Sequence, residues 1–371
     1  MKSGLYKKTI LMLLIAVLSI GVSGCGNTSG TPIDDNQVSE QAEPDDYSSQ
    51  IFTMGTVFTV RAICDGSAQE AVIAADEILN STDRLLSWRT EGSAAELFNK
   101  LHTADVSEIK DLIELSLEVS SESGGAFDMT ILPLSQLWQF DKMEEEDFDP
   151  SEMTVPDPGR IKEAREKIDF TQLKYDDAGG ILSTNNNNLQ IELGAIGKGY
   201  AIDRALASMK DAGVSGAMIS AGSSIGLSGT KADGEPFKIA LRDPRGSISD
   251  YLGVLTLTDC SISTSGDYER YFEKDDVRYH HILDPHTGYP ADSGLMQVTV
   301  IGGNGALCDA LSTACFILGL DEGMRLAEKH NVMAIFVDNE RKIWYNNSDI
   351  ISIFELSSKG YTLYEYNRKD N

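Results

Sequence analysis

The spacing of apolar residues along this chain switches between two periods. Over residues 51–64 apolar and polar positions alternate, the period of a half-buried strand. Over 69–88 the spacing lengthens, and Val72, Ala75, Ile78, Leu79, Leu85 and Leu86 fall on one helical stripe. A further helix carries Ile109, Leu112, Ile113 and Leu117, with Ser107 placed to cap it. The pattern breaks over 141–158, an acidic, proline-bearing run that predicts an exposed loop. Beyond it the spacing predicts a helix over 196–212 and strands over 217–219, 237–241 and 252–257. A helix around Asp309 follows, then a hairpin of 332–337 and 342–345 turning at Asp338-Asn339. No internal repeat is visible. This irregular mixture predicts an α+β fold with a mixed or antiparallel sheet and packed helices, a single large domain of two intimately packed lobes.

The N-terminus adds a location. Lys2, Lys7 and Lys8 precede an apolar run over 10–22 that is too short to span a bilayer comfortably. The run ends in Val22-Ser23-Gly24-Cys25, which resembles a bacterial lipobox. Residues 1–24 therefore read as a lipoprotein signal peptide, with Cys25 as the lipidated first residue of the mature chain. The alternative is an ordinary secretory signal with an incidental cysteine. Residues 25–48, rich in Ser, Thr, Asp, Pro and Gln, read as a flexible tether. The globule, residues 49–371, would then sit on the extracytoplasmic side of a bacterial cell membrane. The formal net charge is −27, and −30 once the three signal lysines are gone. That excess disfavours nucleic acid and an anionic membrane surface as partners, while leaving room for a local anion site. Cys64, Cys260, Cys308 and Cys315 are widely spaced, match no zinc pattern and predict buried free thiols.

Three stretches carry candidate chemistry. Asp309 and Thr313 lie four residues apart where Leu307, Leu311, Ala314, Cys315 and Leu318 recur at helical spacing, so both oxygens project from one face. Two hard oxygens one turn apart suit Mg²⁺ or Ca²⁺; a solvated face or a local hydrogen bond satisfies the same spacing. Gly194-Ala195-Ile196-Gly197-Lys198-Gly199 leads into a helix with Ile202, Ala205, Leu206 and Met209 on its apolar face. Its N–H groups, dipole and lysine suit a phosphate, and close helix packing would explain the glycines equally well. It lacks the spacing and the Ser/Thr of a P-loop. The third stretch, Ser220-Ala221-Gly222-Ser223-Ser224-Ile225-Gly226, is either a backbone nest or a plain turn.

Taken together, six ordered motifs resemble the ApbE family from about residue 49 to the C-terminus. They are Met54-Gly55-Thr56, Gly125-Ala126-Phe127-Asp128-Met129-Thr130, Glu192 to Tyr200, Ser263-Thr264-Ser265-Gly266-Asp267-Tyr268, His281-Ile282-Leu283-Asp284-Pro285-His286-Thr287-Gly288, and Asp309 to Thr313. The resemblance implies a fold related to the T-fold group and a Mg²⁺-dependent transfer of FMN from FAD to a Thr or Ser hydroxyl of an acceptor flavoprotein, with AMP leaving. It implies metal ligation by Asp309, Thr313 and the Ala195 carbonyl. It implies flavin contacts by Met54, Trp88, Ala126, Phe127, Asp128, Glu192, Lys198, His281, Ile282 and Leu283, the last three on a strand. Lys198 is the candidate to neutralise phosphate charge, and His281 or Asp284 the candidate base. The other histidines, His102, His280, His286 and His330, read as structural. The acceptor would be a separate extracytoplasmic protein. Ala221-Gly222-Ser223-Ser224 departs from the family's Ala-Gly-Gly-Asp, which bears on FAD affinity. A Mg²⁺-dependent FAD pyrophosphatase and a non-catalytic flavin-binding lipoprotein are the rival expectations.

Overall fold

The computed structural model describes residues 44–144 and 148–367. The signal peptide, Cys25 and the tether up to residue 43 lie outside the described residues, as do Glu145, Glu146 and Asp147 of the acidic run. What is described belongs to one compact unit beginning at Glu43.

Its centre is a nine-stranded sheet. The strands run in the order Asp45–Thr53, Thr56–Cys64, Gly216–Ala221, Ser224–Gly229, Ser261–Gly266, Leu295–Gly302, Met333–Asp338, Lys342–Tyr345, Thr362–Glu365. All neighbours are antiparallel except the last pair, so the sheet is mixed, as expected. Helices Ala68–Leu86, Gly194–Asp211 and Gly305–Lys329 cover one face. A three-stranded sheet, Phe354–Leu356, Tyr251–Leu257 and Phe237–Arg242, covers part of the other. Alternation sorts the two cores, Val298 and Val300 joining the helix side and Ile301 the sheet side, while the irregularity at 295–297 puts Met296 on the sheet side too. A fully buried side chain such as Leu79 or Phe58 contributes roughly 1.5–3 kcal/mol to this packing.

Several elements depart from the expectations. Residues 51–64 are not one strand but the two arms of a hairpin, turning at Met54 (φ 51°) and Gly55 (φ 71°). The first arm starts at Asp45, inside the run read as tether, because an edge strand tolerates polar outward positions. Ser107 does not cap a helix. Its N–H and hydroxyl donate to Asp105 (2.9 and 2.6 Å), a short 3₁₀ turn follows, and Lys110–Glu122 is helical after it. The acidic run contains the 3₁₀ turns Phe140–Glu144 and Pro150–Glu152, and ends at the helix Pro158–Arg165, which Asp157 caps. Helix Ala94–Leu101, capped by Ser93, was not anticipated. The segment His281 to Leu283 is not a strand; it makes one bridge, Leu283 to Pro290. Cys64, Cys308 and Cys315 are buried free thiols, and Cys260 is free but half-buried.

Candidate active site

Two helices meet at their starts to build the site. At their crossing, a Cβ on Gly199 would lie 2.0 Å from the Gly305 carbonyl oxygen, so only glycine allows this approach. Asp203 locks the crossing by accepting the N–H groups of Gly305 (2.8 Å) and Ala306 (3.0 Å) at the start of the second helix, which Asn304 caps. Burial, and after it the nearby Asp309, push the Asp203 carboxyl up from its usual range.

Asp309 lies one turn into that second helix and is 4% exposed. Its Oδ1 accepts from the hydroxyls of Ser263 (2.8 Å) and Ser224 (3.1 Å), and its Oδ2 from the Gly199 N–H (3.1 Å). Lys198 Nζ stands 3.8 Å from Oδ2. Thr313, one turn further on, is half-buried with Oγ1 3.5 Å from Ser265 Oγ. Ala195 is in the first turn of the Lys198 helix, one turn before Gly199. The carboxylate, hydroxyl and main-chain carbonyl of Asp309, Thr313 and Ala195 are hard oxygen donors, a set that suits Mg²⁺ and lacks the nitrogen or sulfur typical of zinc. No side chain caps the Lys198 helix, whose first N–H groups are therefore available to an anion.

Around this centre the other motif residues fall into two groups. Met54 reaches it: a Cβ on Gly197 would lie 3.2 Å from Met54 Cε, and the strained Met54 backbone is held through its N–H by Asp83 (3.1 Å). His281 lies near enough to Lys198 to feel its charge. Part of the residue is solvent-accessible, yet its Nδ1 is enclosed without a partner. Burial, with the charges of Arg270, His280 and Lys198, holds the ring well below its usual 6.5, so it is neutral. Glu192, whose side chain accepts from Ser135, is pushed up by burial against the opposing pull of Arg89 and Arg270. The Arg89 guanidinium stacks 3.9 Å over Trp88.

The second group is built into the fold. Ala126, Phe127, Ile282 and Leu283 are buried in the apolar cores. Asp128 gives Oδ1 to the Thr130 N–H (2.8 Å) and hydroxyl (2.7 Å), and Oδ2 to the Phe170 N–H (3.1 Å). Asp284 Oδ1 accepts from the His286 N–H (2.8 Å), shaping its own turn. His286 then ties that turn to the Gly124 carbonyl (3.0 Å), joining two motif loops. His280, bonded to the Ala291 carbonyl, and His330, paired with Glu122, are structural. Ser263, Asp203, Arg89 and Arg270 were not singled out from the sequence, though Ser263 lay inside a quoted motif. Ser224 was singled out only as part of a departure bearing on FAD affinity, not as a partner of Asp309.

The ApbE family model matches residues 54–336. The FAD:protein FMN transferase of Treponema pallidum (strain Nichols) is 30% identical over 352 residues, 89% of this chain and 91% of that relative. The FAD:protein FMN transferase of Klebsiella pneumoniae (strain 342) is 30% identical over 298 residues, 78% of this chain and 83% of the relative. Among solved structures, the ApbE protein of Thermotoga maritima superposes with a TM-score of 0.71 at 30% identity, covering 79% of this chain and 94% of that one. The apo form of the Pseudomonas stutzeri flavinyl transferase ApbE gives 0.67 at 33% identity, covering 80% and 92%.

Proposed function

The chain belongs to the ApbE family, and from that premise we propose that it is a FAD:protein FMN transferase. In this reading a Thr or Ser hydroxyl oxygen of a separate acceptor protein bonds to the FMN phosphorus of FAD. The pyrophosphate P–O bond breaks, and AMP departs with the leaving oxygen. The observation that carries the reading is the buried Asp309 carboxylate 3.8 Å from Lys198, at the start of an uncapped helix. Asp309, Thr313 and the Ala195 carbonyl would hold a Mg²⁺, which supplies charge neutralisation on the phosphate oxygens. Lys198 and the helix N–H groups bind and orient the pyrophosphate. His281, neutral and partly solvent-accessible, accepts the hydroxyl proton, while Asp284 holds the loop that carries it. Met54 and Trp88 supply apolar surface for a flavin ring.

Mass spectrometry after incubation with FAD, Mg²⁺ and a threonine-bearing acceptor tests this. Covalent FMN on the acceptor supports transfer; free FMN and AMP with an unmodified acceptor would make the chain a pyrophosphatase. The same reading puts the protein on the outer side of a bacterial membrane through a lipid on Cys25. Cys25→Ser should then leave the membrane fraction with its transferase activity intact, and a variant that still sediments with washed membranes overturns the anchor.

A further inference from the structure

We propose that Ser224 and Ser263 are positioning residues that aim Asp309 at its cation, an inference that rests on the Mg²⁺-dependent reading above. A carboxylate has about four lone-pair sites, two on each oxygen. On Oδ1 both are engaged, by Ser263 at 2.8 Å and Ser224 at 3.1 Å. Among the described residues Oδ2 accepts the Gly199 N–H alone, at 3.1 Å, which leaves it one site, and Lys198 Nζ stands 3.8 Å from it. Each serine hydroxyl has one proton, and both protons go to Oδ1. The 3.3 Å between the two hydroxyl oxygens is therefore contact rather than a bond. The serines leave Asp309 a single oxygen for a metal and fix the plane in which that oxygen points.

The hold is rigid because it comes from the sheet. Ser224 and Ser263 are register partners on adjacent antiparallel strands and are 1% and 2% exposed. Ser263 is also the middle member of a ladder at alternate positions of its strand. Ser261 reaches Asp203 (3.4 Å), Ser263 reaches Asp309, and Ser265 lies 2.9 Å from Ser312 and 3.5 Å from Thr313. One face of the strand thus addresses the helix start, the carboxylate and the neutral oxygen in sequence. Without the two hydroxyls, Oδ1 would be buried without donors and the carboxylate free to turn about χ2, carrying Oδ2 off its aim.

The test uses the full chain with Mn²⁺ as the probe, titrated by electron paramagnetic resonance without FAD. Ser224→Ala and Ser263→Ala should each weaken Mn²⁺ binding about 10-fold and the double variant up to about 100-fold. FAD affinity measured without metal should stay at the wild-type value, a separation that a general packing defect would not produce. Ser224→Thr and Ser263→Thr keep the hydroxyl and should bind Mn²⁺ nearly as the wild type does. Equal losses in the Thr and Ala variants assign the effect to packing and overturn the proposal. Wild-type Mn²⁺ affinity in the Ala variants overturns it as well, while an Asp309→Asn loss in the same series leaves the metal reading standing. If Asp309→Asn binds Mn²⁺ unchanged, the metal reading itself fails and this inference with it.

Discussion

Asp128 and Asp309 are both buried aspartates inside family motifs, 7% and 4% exposed, yet they do different work. Asp128 Oδ1 accepts from Thr130 two residues away and its Oδ2 from the Phe170 N–H, with no cation paired to it among the described residues. Its bonds close a loop, and burial pushes its carboxyl up. Asp309 draws its donors from positions 46, 85 and 110 residues away, on two strands and a second helix, and keeps a lone pair beside a lysine. Each carboxylate holds three donors, so the difference is not in the count: Asp128 ties its own turn to the Phe170 segment, whereas Asp309 is fixed by two strands and a second helix with Lys198 3.8 Å from its Oδ2, and is preorganised for a ligand.

Substitutions can break this contrast. Asp309→Ala should cost the most, lowering transferase activity at least about 100-fold at ordinary Mg²⁺ by removing the anionic ligand. Its far-UV circular dichroism should stay native, since Leu311, Ala314 and Cys315 keep the helix packed. If Thr313 is the neutral ligand proposed for it, Thr313→Ala removes a donor that water can replace, so excess Mg²⁺ should recover much of its smaller loss. Asp128→Ala should do the reverse of Asp309→Ala, costing about 2–3 kcal/mol in urea unfolding while Mn²⁺ affinity holds. A stable Asp128→Ala protein with weakened FAD binding would instead move Asp128 into the flavin site. Lys198→Ala should cost about 1.5–3 kcal/mol of FAD binding or transition-state stabilisation, read from kcat/KM. Unchanged kinetics would leave Lys198 a solvated helix start.

The contrast also marks what could be read from sequence. Helical periodicity exposed the Val72, Ala75 and Leu79 stripe and put Asp309 and Thr313 on one face, because both signals are local. The Asp338-Asn339 hairpin was legible for the same reason. The hairpin at Met54 was not: Phe52 and Val57 are apolar yet exposed opposite each other, while Phe58 is buried, so the change of face left no break in the pattern. The partners of Asp309 were invisible for a deeper reason. Ser224 and Ser263 meet it only because two strands pair in register beneath the helix, and no spacing within either strand encodes that. Ala126, Phe127 and Asp128 were carried over together by the motif, and only burial and hydrogen bonding show that they are built into the fold.

The smallest expected effect concerns the neutral ring beside the site. His281 is held below 6.5 by burial first, then by Arg270, His280 and Lys198. Below 6.5 the unfolded chain binds a proton at this position that the folded chain refuses, so this ring's contribution to stability falls as pH falls. Glu192 and Asp128 are shifted up, and their contributions run the other way, so the raw stability profile mixes signs. Subtracting a His281→Gln variant isolates the ring. The wild-type minus variant difference in unfolding free energy should shrink steadily between about pH 7 and about pH 5, measured by urea titration at each pH. Because the ring is held well below 6.5 and is neutral near neutrality, its protonation should not by itself depress transfer just below pH 7. A constant difference across the same range would mean the ring titrates as freely as in the unfolded chain. His281 would then be partly charged near neutral pH, and its role as the proton acceptor would pass to another group.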